Sequence, residues 1–386
     1  MFFIGICVIT SQLFIALSSI GLVGTIILYL TLVILRKKIF VAGKKIYLLL
    51  GLFILVQIIS GLFSDEPVNS FTNFYRHASL SLILLSSVDV FSSKKHLKVL
   101  LITFFIFTAL LSCYELYLYI IEHFKHSEIP LSELRIEYFG YPVTNGGIKM
   151  MILLMMIPFL FIKEKFLFNK VLVILIALPI FVSMYFTNSR SAFVGLFFAL
   201  IIFGILRNRI FLFTFLAVLT AALIFSPKEY TERVYSIVDI NHKSNEARFV
   251  MWETGLKMFK EKPLLGYGDI DLNEPYRKFR SPEIHGEGTH MHNNLIHILV
   301  IFGLVGLLSW LALMFTIFIR QLKIFIKTKP DSFLNSLALS SMLCMIAFQL
   351  SGLFEWNFGD VEVVTVFWFT ISLSLISNKI NIQNEA

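Results

Sequence analysis

Residues 288–308 read GTHMHNNLIHILVIFGLVGLL, and the change of character within them decides the class of fold. Three polar residues, His292, Asn293 and Asn294, give way to a run that carries no Asp, Glu, Lys or Arg until Arg320. A helix that apolar belongs in lipid, because roughly 20 such residues cross a hydrocarbon core of about 30 Å. His292 then falls at the membrane–water boundary, facing the long polar stretch before it, where an imidazole can exchange a proton near neutral pH. His297 lies about one and a half turns deeper and reads as a hydrogen-bonded interior histidine. His290 sits in the loop and reads as solvated.

The rest of the chain has the same character. Of its 386 residues 57% are hydrophobic, 41 are Phe and only 15% are charged, with a mean hydropathy of +0.80. These values are far from those of soluble domains. The expected fold is an all-α polytopic membrane protein with about twelve transmembrane helices: roughly 2–17, 19–35, 45–63, 76–92, 98–121, 147–162, 169–187, 190–206, 210–227, 292–319, 333–353 and 360–377. Residues 1–35 lack a basic start and a small-residue cleavage site, so they read as the first two spans rather than a signal peptide. The split is placed near Ser18 and Ser19. Cys7, Cys113 and Cys344 lie inside apolar runs and read as small packing residues.

The net charge of +8 does not point to nucleic acid, because the basic residues come in short clusters between apolar runs. They are Arg36, Lys37, Lys38, Lys44, Lys45, Lys94, Lys95, Lys163, Lys165, Arg207, Arg209, Arg320, Lys323, Lys327 and Lys329. Such clusters mark cytoplasmic loops. Both termini are therefore expected inside, with the long loop outside. The layout is a first block of helices (1–227), a polar loop (228–291) and a last block with a short tail (292–386). Within the loop Ser244 or Asn245 can cap a helix that Pro263 stops. Phe249, Trp252, Leu256 and Phe259 fall on one face of it, as in an amphipathic helix on a membrane surface or in a packed loop helix.

Several residues on the outer side could carry chemistry. Arg190 opens a membrane helix right after Asn188 and Ser189. It can snorkel to the interface, or bind an anion at the helix N-terminus, where free N–H groups already favour one. Arg248 can pair with Glu246 or Glu253, or face solvent. Asp269 and Asp271 have the spacing of a metal-binding carboxylate pair, but no third ligand is evident and no metal is assigned. The late turn 354–362 sets Glu355, Asp360 and Glu362 at the boundary beside Trp356. They can anchor the interface there, or orient an arginine or a sugar.

Together these residues resemble the O-antigen ligase family, within the broader group that includes O-antigen polymerases. The most specific element is His292–Asn293, nine residues, Gly303, two residues and Gly306. The turn Asn188–Ser191 is similar to the family's Ser/Thr-Arg-small motif. Arg248, Trp252, Gly255, Pro263, Gly266 and Gly268 match its loop segment, and the turn 354–362 is also similar. The resemblance covers roughly residues 40–377.

It implies a membrane glycosyltransferase of the GT-C type in the bacterial inner membrane, working at the periplasmic face. Such an enzyme transfers polysaccharide from undecaprenyl diphosphate to a sugar hydroxyl of lipid A–core, without cofactor or nucleic acid. His292 would be the general base in an inverting transfer. Arg190 and Arg248 would neutralise the diphosphate in place of a metal, and Arg135 is a weaker third phosphate contact. Asn188, Ser189, Trp252, Asn293 and Glu355 would line the substrates. The rivals are a polymerase, which joins lipid-linked repeat units, and a transporter or flippase. The latter would need charges within the spans, which the sequence shows hardly any of.

Overall fold

In lipid every backbone N–H and C=O must be satisfied within the chain, so apolar runs of this length fold as helices. The computed structural model of the protein describes residues 1–36, 42–125, 134–164, 169–225, 231, 235, 239–280 and 290–385. Lys37, Lys38, Lys165 and the loop ends at 226–230 and 281–289 lie outside the described residues. The helices are α1 (Phe2–Thr10), α2 (Ile15–Arg36), α3 (Lys44–Leu62), α4 (Pro67–Val90), α5 (Lys94–Lys125), α6 (Pro142–Met156) and α7 (Lys170–Phe186). They continue with α8 (Arg190–Arg207), α9 (Arg209–Phe225), α10 (Lys243–Glu261), α11 (Asn273–Phe279), α12 (Asn294–Lys327), α13 (Phe333–Ser351) and α14 (Val361–Glu385). No strand occurs among the described residues.

Eight of these helices are long and apolar enough to cross a membrane: α2, α3, α5, α6 with the 3-10 turn that follows it, α8, α12, α13 and α14. Helices α7 and α9 are apolar but shorter. The expected first pair is not two spans. Helix α1 has 9 residues, a rise of about 14 Å, and packs back along α2. The break comes at residues 11–14 and not at Ser18, which lies inside α2 with its Oγ donating to Cys7 O at 2.8 Å. Ser11 Oγ donates to Val8 O at 2.9 Å, and Gln12 Nε2 donates to Thr108 on α5 at 2.9 Å. Cys7 and Cys344 are buried packing residues as expected, whereas Cys113 is exposed.

Helices α6, α13 and α14 form the buried centre, with α13 and α14 packed side by side and α8 against α13. Phe348 and Phe367 stack across that seam with ring centroids 3.9 Å apart. At one end of the bundle the basic segments meet: Lys94 and Lys98 pair with Glu164, and Arg207 pairs with Asp331. The N-termini of α8 and α12 and the turn between α13 and α14 gather at the other end.

The spans, in which hardly any charge was expected, do contain a buried pair. Lys149 of α6 and Glu115 of α5 are fully buried and 2.7 Å apart. Asn145 and Ser183 also donate to the Glu115 carboxylate, each at 2.7 Å, and Lys149 donates to Asn145 as well. Every polar atom in this knot has a partner, so its charges are held by one another. Removing one partner of a buried pair strands the other charge, at about 3–5 kcal/mol. Lys149→Met should therefore lower the unfolding temperature in detergent sharply, and adding Glu115→Gln should recover most of the loss. Equal destabilisation by the single and double variants would refute the pairing.

Candidate functional site

The stretch that opens α12 builds the site. Asn293 caps the helix: its Oδ1 accepts from Leu295 N at 2.9 Å and Ile296 N at 3.1 Å. Its Nδ2 donates to Leu353 O at 2.9 Å. Asn294 N donates to Gly352 O at 2.6 Å, and Asn294 Oδ1 accepts from Phe358 N at 3.3 Å. Two adjacent asparagines thus stitch the start of α12 to the turn before α14, 60 residues away in sequence. That stitching brings the turn's carboxylate to the histidine.

His292 takes a left-handed backbone (φ 43°), uncommon for a side chain of this size and frequent where function over-determines geometry. Its Nδ1 lies 2.7 Å from Glu355 Oε1. Burial alone would push the Glu355 carboxyl up. The hydrogen bonds and charge of His290 and His292 outweigh it and hold the carboxyl well below the usual range. An ionised carboxylate only accepts, so Nδ1 carries the proton, and whenever the ring is neutral Nε2 keeps its lone pair. In that neutral form the ring can take up a proton at Nε2.

His290 is not simply solvated. Its ring packs on His292 with centroids 4.2 Å apart, and its Nε2 lies 3.6 Å from the same Glu355 oxygen. His297 is the interior histidine expected: buried, packed against Trp356 with tilted rings and centroids 4.0 Å apart, and accepting from Met291 N at 3.4 Å.

Arg190 and Arg248 share one small cleft. Arg190, Ser191, Val194, Asn245, Arg248 and Phe354 line it, and Phe354 is the neighbour of Glu355. Arg190 donates to Ser244 Oγ at 2.9 Å, and Arg248 Nη1 to Asn245 Oδ1 at 3.4 Å. Arg248 Nε is buried and donates to no protein acceptor. Burial pulls its guanidinium below the ordinary value, and the charge of Glu355 opposes that. Two cations in a cleft, one incompletely paired, suit a multivalent anion.

The remaining expected residues hold the walls. Asn188 (φ 56°) donates to Leu134 O at 3.1 Å and so fixes the segment that carries the exposed Arg135. Ser189 is buried, with its Oγ 3.3 Å from Ser191 Oγ. Trp252 donates to Met291 O at 3.0 Å, joining α10 to the histidine segment. Helix α10 begins at Lys243 with His242 as its cap, two residues before Ser244 and three before Asn245, the caps expected. It packs through Thr254, Gly255 and Met258, leaving Phe249 and Leu256 of the expected stripe exposed.

Asp269 and Asp271 do not converge. Asp269 pairs with His77 of α4 at 3.2 Å, and Asp271 caps Asn273 N at 3.0 Å. Asp360, further round the turn, accepts from Thr144 at 2.7 Å. Burial pushes its carboxyl up to about 6 against that hydrogen bond, with Glu362 and Glu355 adding.

The loop 263–268 and α12 explain each other. At Gly303 (φ 66°, ψ −170°) the helix opens. Leu304 N then donates to Pro263 O at 2.9 Å, and Tyr267 N and Gly268 N donate to Val300 O at 3.0 Å and Ile301 O at 2.8 Å. A Cβ on Gly303 would meet Leu264 O at 2.2 Å, and one on Gly266 would meet Ile301 C at 2.5 Å. The glycines of the two motifs are therefore one lock, and the lock ties Arg248's helix to His292's helix.

Residues 172–311 match the family model described as O-antigen ligase. The matched stretch includes Arg190, Arg248, Trp252, His292, Gly303 and Gly306, while Glu355 lies beyond it and reaches the site through the fold. The chain is also similar to a candidate polysaccharide ligase of Rickettsia typhi, 24% identical over 347 residues, covering 84% of this chain and 79% of that one. A second candidate polysaccharide ligase, from Rickettsia bellii, is 23% identical over 340 residues and covers 83% and 77%.

Proposed function

We propose that the protein is a membrane glycosyltransferase of the GT-C type that ligates polysaccharide at the outer face of the bacterial inner membrane. The donor is glycan on undecaprenyl diphosphate and the acceptor a sugar hydroxyl of lipid A–core. The observation that carries this reading is the Glu355-held His292 next to a cleft lined by Arg190 and Arg248.

In this mechanism His292 Nε2 takes the proton of the acceptor hydroxyl as its oxygen attacks the anomeric carbon and inverts it. Glu355 keeps the imidazole in the required tautomer and stabilises the imidazolium that forms. The bond to the diphosphate breaks, and the leaving charge is met by the two guanidiniums, the second of which has an Nε to offer. No divalent ion takes part. The basic clusters support an orientation with 320–332 and the C-terminus inside and 239–280 in the periplasm.

The test is transfer by purified protein of polymer from its lipid carrier to lipid A–core in excess chelator. Transfer should persist, and cells lacking the gene should accumulate finished polymer on the carrier. Loss of transfer that Mg²⁺ or Mn²⁺ restores would overturn the arginine mechanism. Accumulation of single repeat units instead would make the protein a polymerase.

A further inference from the structure

We propose that His290, His292 and Glu355 form a binding site for one transition-metal ion of the zinc class, and that filling it switches off the His292 base. Each residue offers one ligand atom, and the three atoms lie within 4.8 Å of one another. Among the described residues no other group of three histidines, cysteines and carboxylates is gathered this way. The blocking effect rests on His292 acting as the base; the binding itself does not.

The donor set selects the ion. Two imidazoles and one carboxylate are the ligands of three-coordinate zinc sites that keep a fourth position open, whereas Mg²⁺ and Ca²⁺ prefer all-oxygen shells. Ligand bonds of about 2.0–2.2 Å in a tetrahedron put ligand atoms roughly 3.3 Å apart. Glu355 Oε1 lies 3.6 Å from His290 Nε2 and 2.7 Å from His292 Nδ1, so the second pair has to open by about 0.6 Å, and the two ring nitrogens, within 4.8 Å of each other, have to settle at the same spacing.

The frame is already rigid, because Asn293 and Asn294 bond both chain segments together. The histidine side chains are 35% and 29% exposed, which leaves an ion a path from the outer side. Asp360, within charge range of Glu355 and His290, adds negative potential that offsets Arg248.

The consequence is tautomeric. In the base-competent state the proton sits on Nδ1 and is given to Glu355. A metal on Nδ1 needs that lone pair, so the proton must move to Nε2, where the acceptor hydroxyl would have been deprotonated. The ion also takes the Glu355 oxygen that oriented the ring. One bound ion thus removes both halves of the device without altering the arginine cleft.

Purified protein, stripped by chelator and dialysed against Zn²⁺ alone, should retain one equivalent. Glu355→Gln should lose it, and His290→Gln should bind at least about tenfold more weakly, as expected when one of three ligands goes. Transfer by the wild type should fall as the site fills and return with chelator, while His290→Gln should transfer and resist zinc. No saturable equivalent, or unchanged binding by His290→Gln, overturns the site while chelator-proof transfer keeps the ligase reading intact. Zinc bound at this site with transfer undiminished overturns the tautomer block.

Discussion

His292→Ala loses transfer by about 10² to 10⁴-fold, the usual worth of a positioned general base, while its affinity for the lipid-linked donor stays near that of the wild type. The separation is what geometry demands: His292 hangs on Glu355, and the anion cleft belongs to Arg190 and Arg248. Arg190→Ala and Arg248→Ala should lose donor binding together with rate, because their contacts exist before the transition state as well as in it. Glu355→Gln can still accept from Nδ1 but offers no charge to the imidazolium. Its kcat should drop by roughly 10- to 100-fold, as for other groups that orient an active imidazole, with KM little changed. Donor binding and transfer measured on the same inserted, monodisperse protein check all four variants. Near-normal transfer by His292→Ala removes the residue from the chemistry.

The class of fold was legible because hydrophobicity needs no tertiary context: twenty apolar residues read the same wherever they occur. The site was legible as a set of motifs. Arg190, Arg248 and His292 each stand at a helix start next to polar residues, and helix starts leave local marks. What bound them together was not legible. Glu355 is 63 residues from His292, and nothing in its own turn distinguishes it from Asp360 or Glu362. Glu115 and Lys149 were passed over because each is a lone charge in an apolar run; only the packing of α5 on α6 and α7 turns two liabilities into one satisfied knot. The first two spans failed for a related reason. Ser11 and Gln12 look tolerable inside a membrane helix until Thr108 offers Gln12 a partner and the chain turns there. The partner of Asp269, His77, could be found only in three dimensions.

Gly303→Ala should damage the protein far more than any other single methyl added to its glycines in the spans. At φ 66° and ψ −170° the backbone occupies a region open essentially to glycine alone, worth about 1–3 kcal/mol of strain for another residue. The new Cβ would also stand 2.2 Å from Leu264 O and 2.3 Å from Leu264 C. Both atoms are backbone, so no side chain can swing aside. Relief requires moving the loop 263–268, which breaks the bonds from Leu304 N, Tyr267 N and Gly268 N at roughly 0.5–1.5 kcal/mol each. The total is several kcal/mol, against a whole-domain stability of about 5–15 kcal/mol. Gly51→Ala in α3 is the control: a Cβ there meets nothing within 4 Å, and helix propensity favours the change. In detergent Gly303→Ala should unfold at markedly lower temperature than Gly51→Ala and be cut faster by protease within 239–280, because the unlatched loop carries α10. Transfer should fall with it even in protein that still inserts, since Arg248 and His292 then lose their common frame. Matching unfolding temperatures and cleavage rates in the two variants would mean that the helix opening at Gly303 is not a lock.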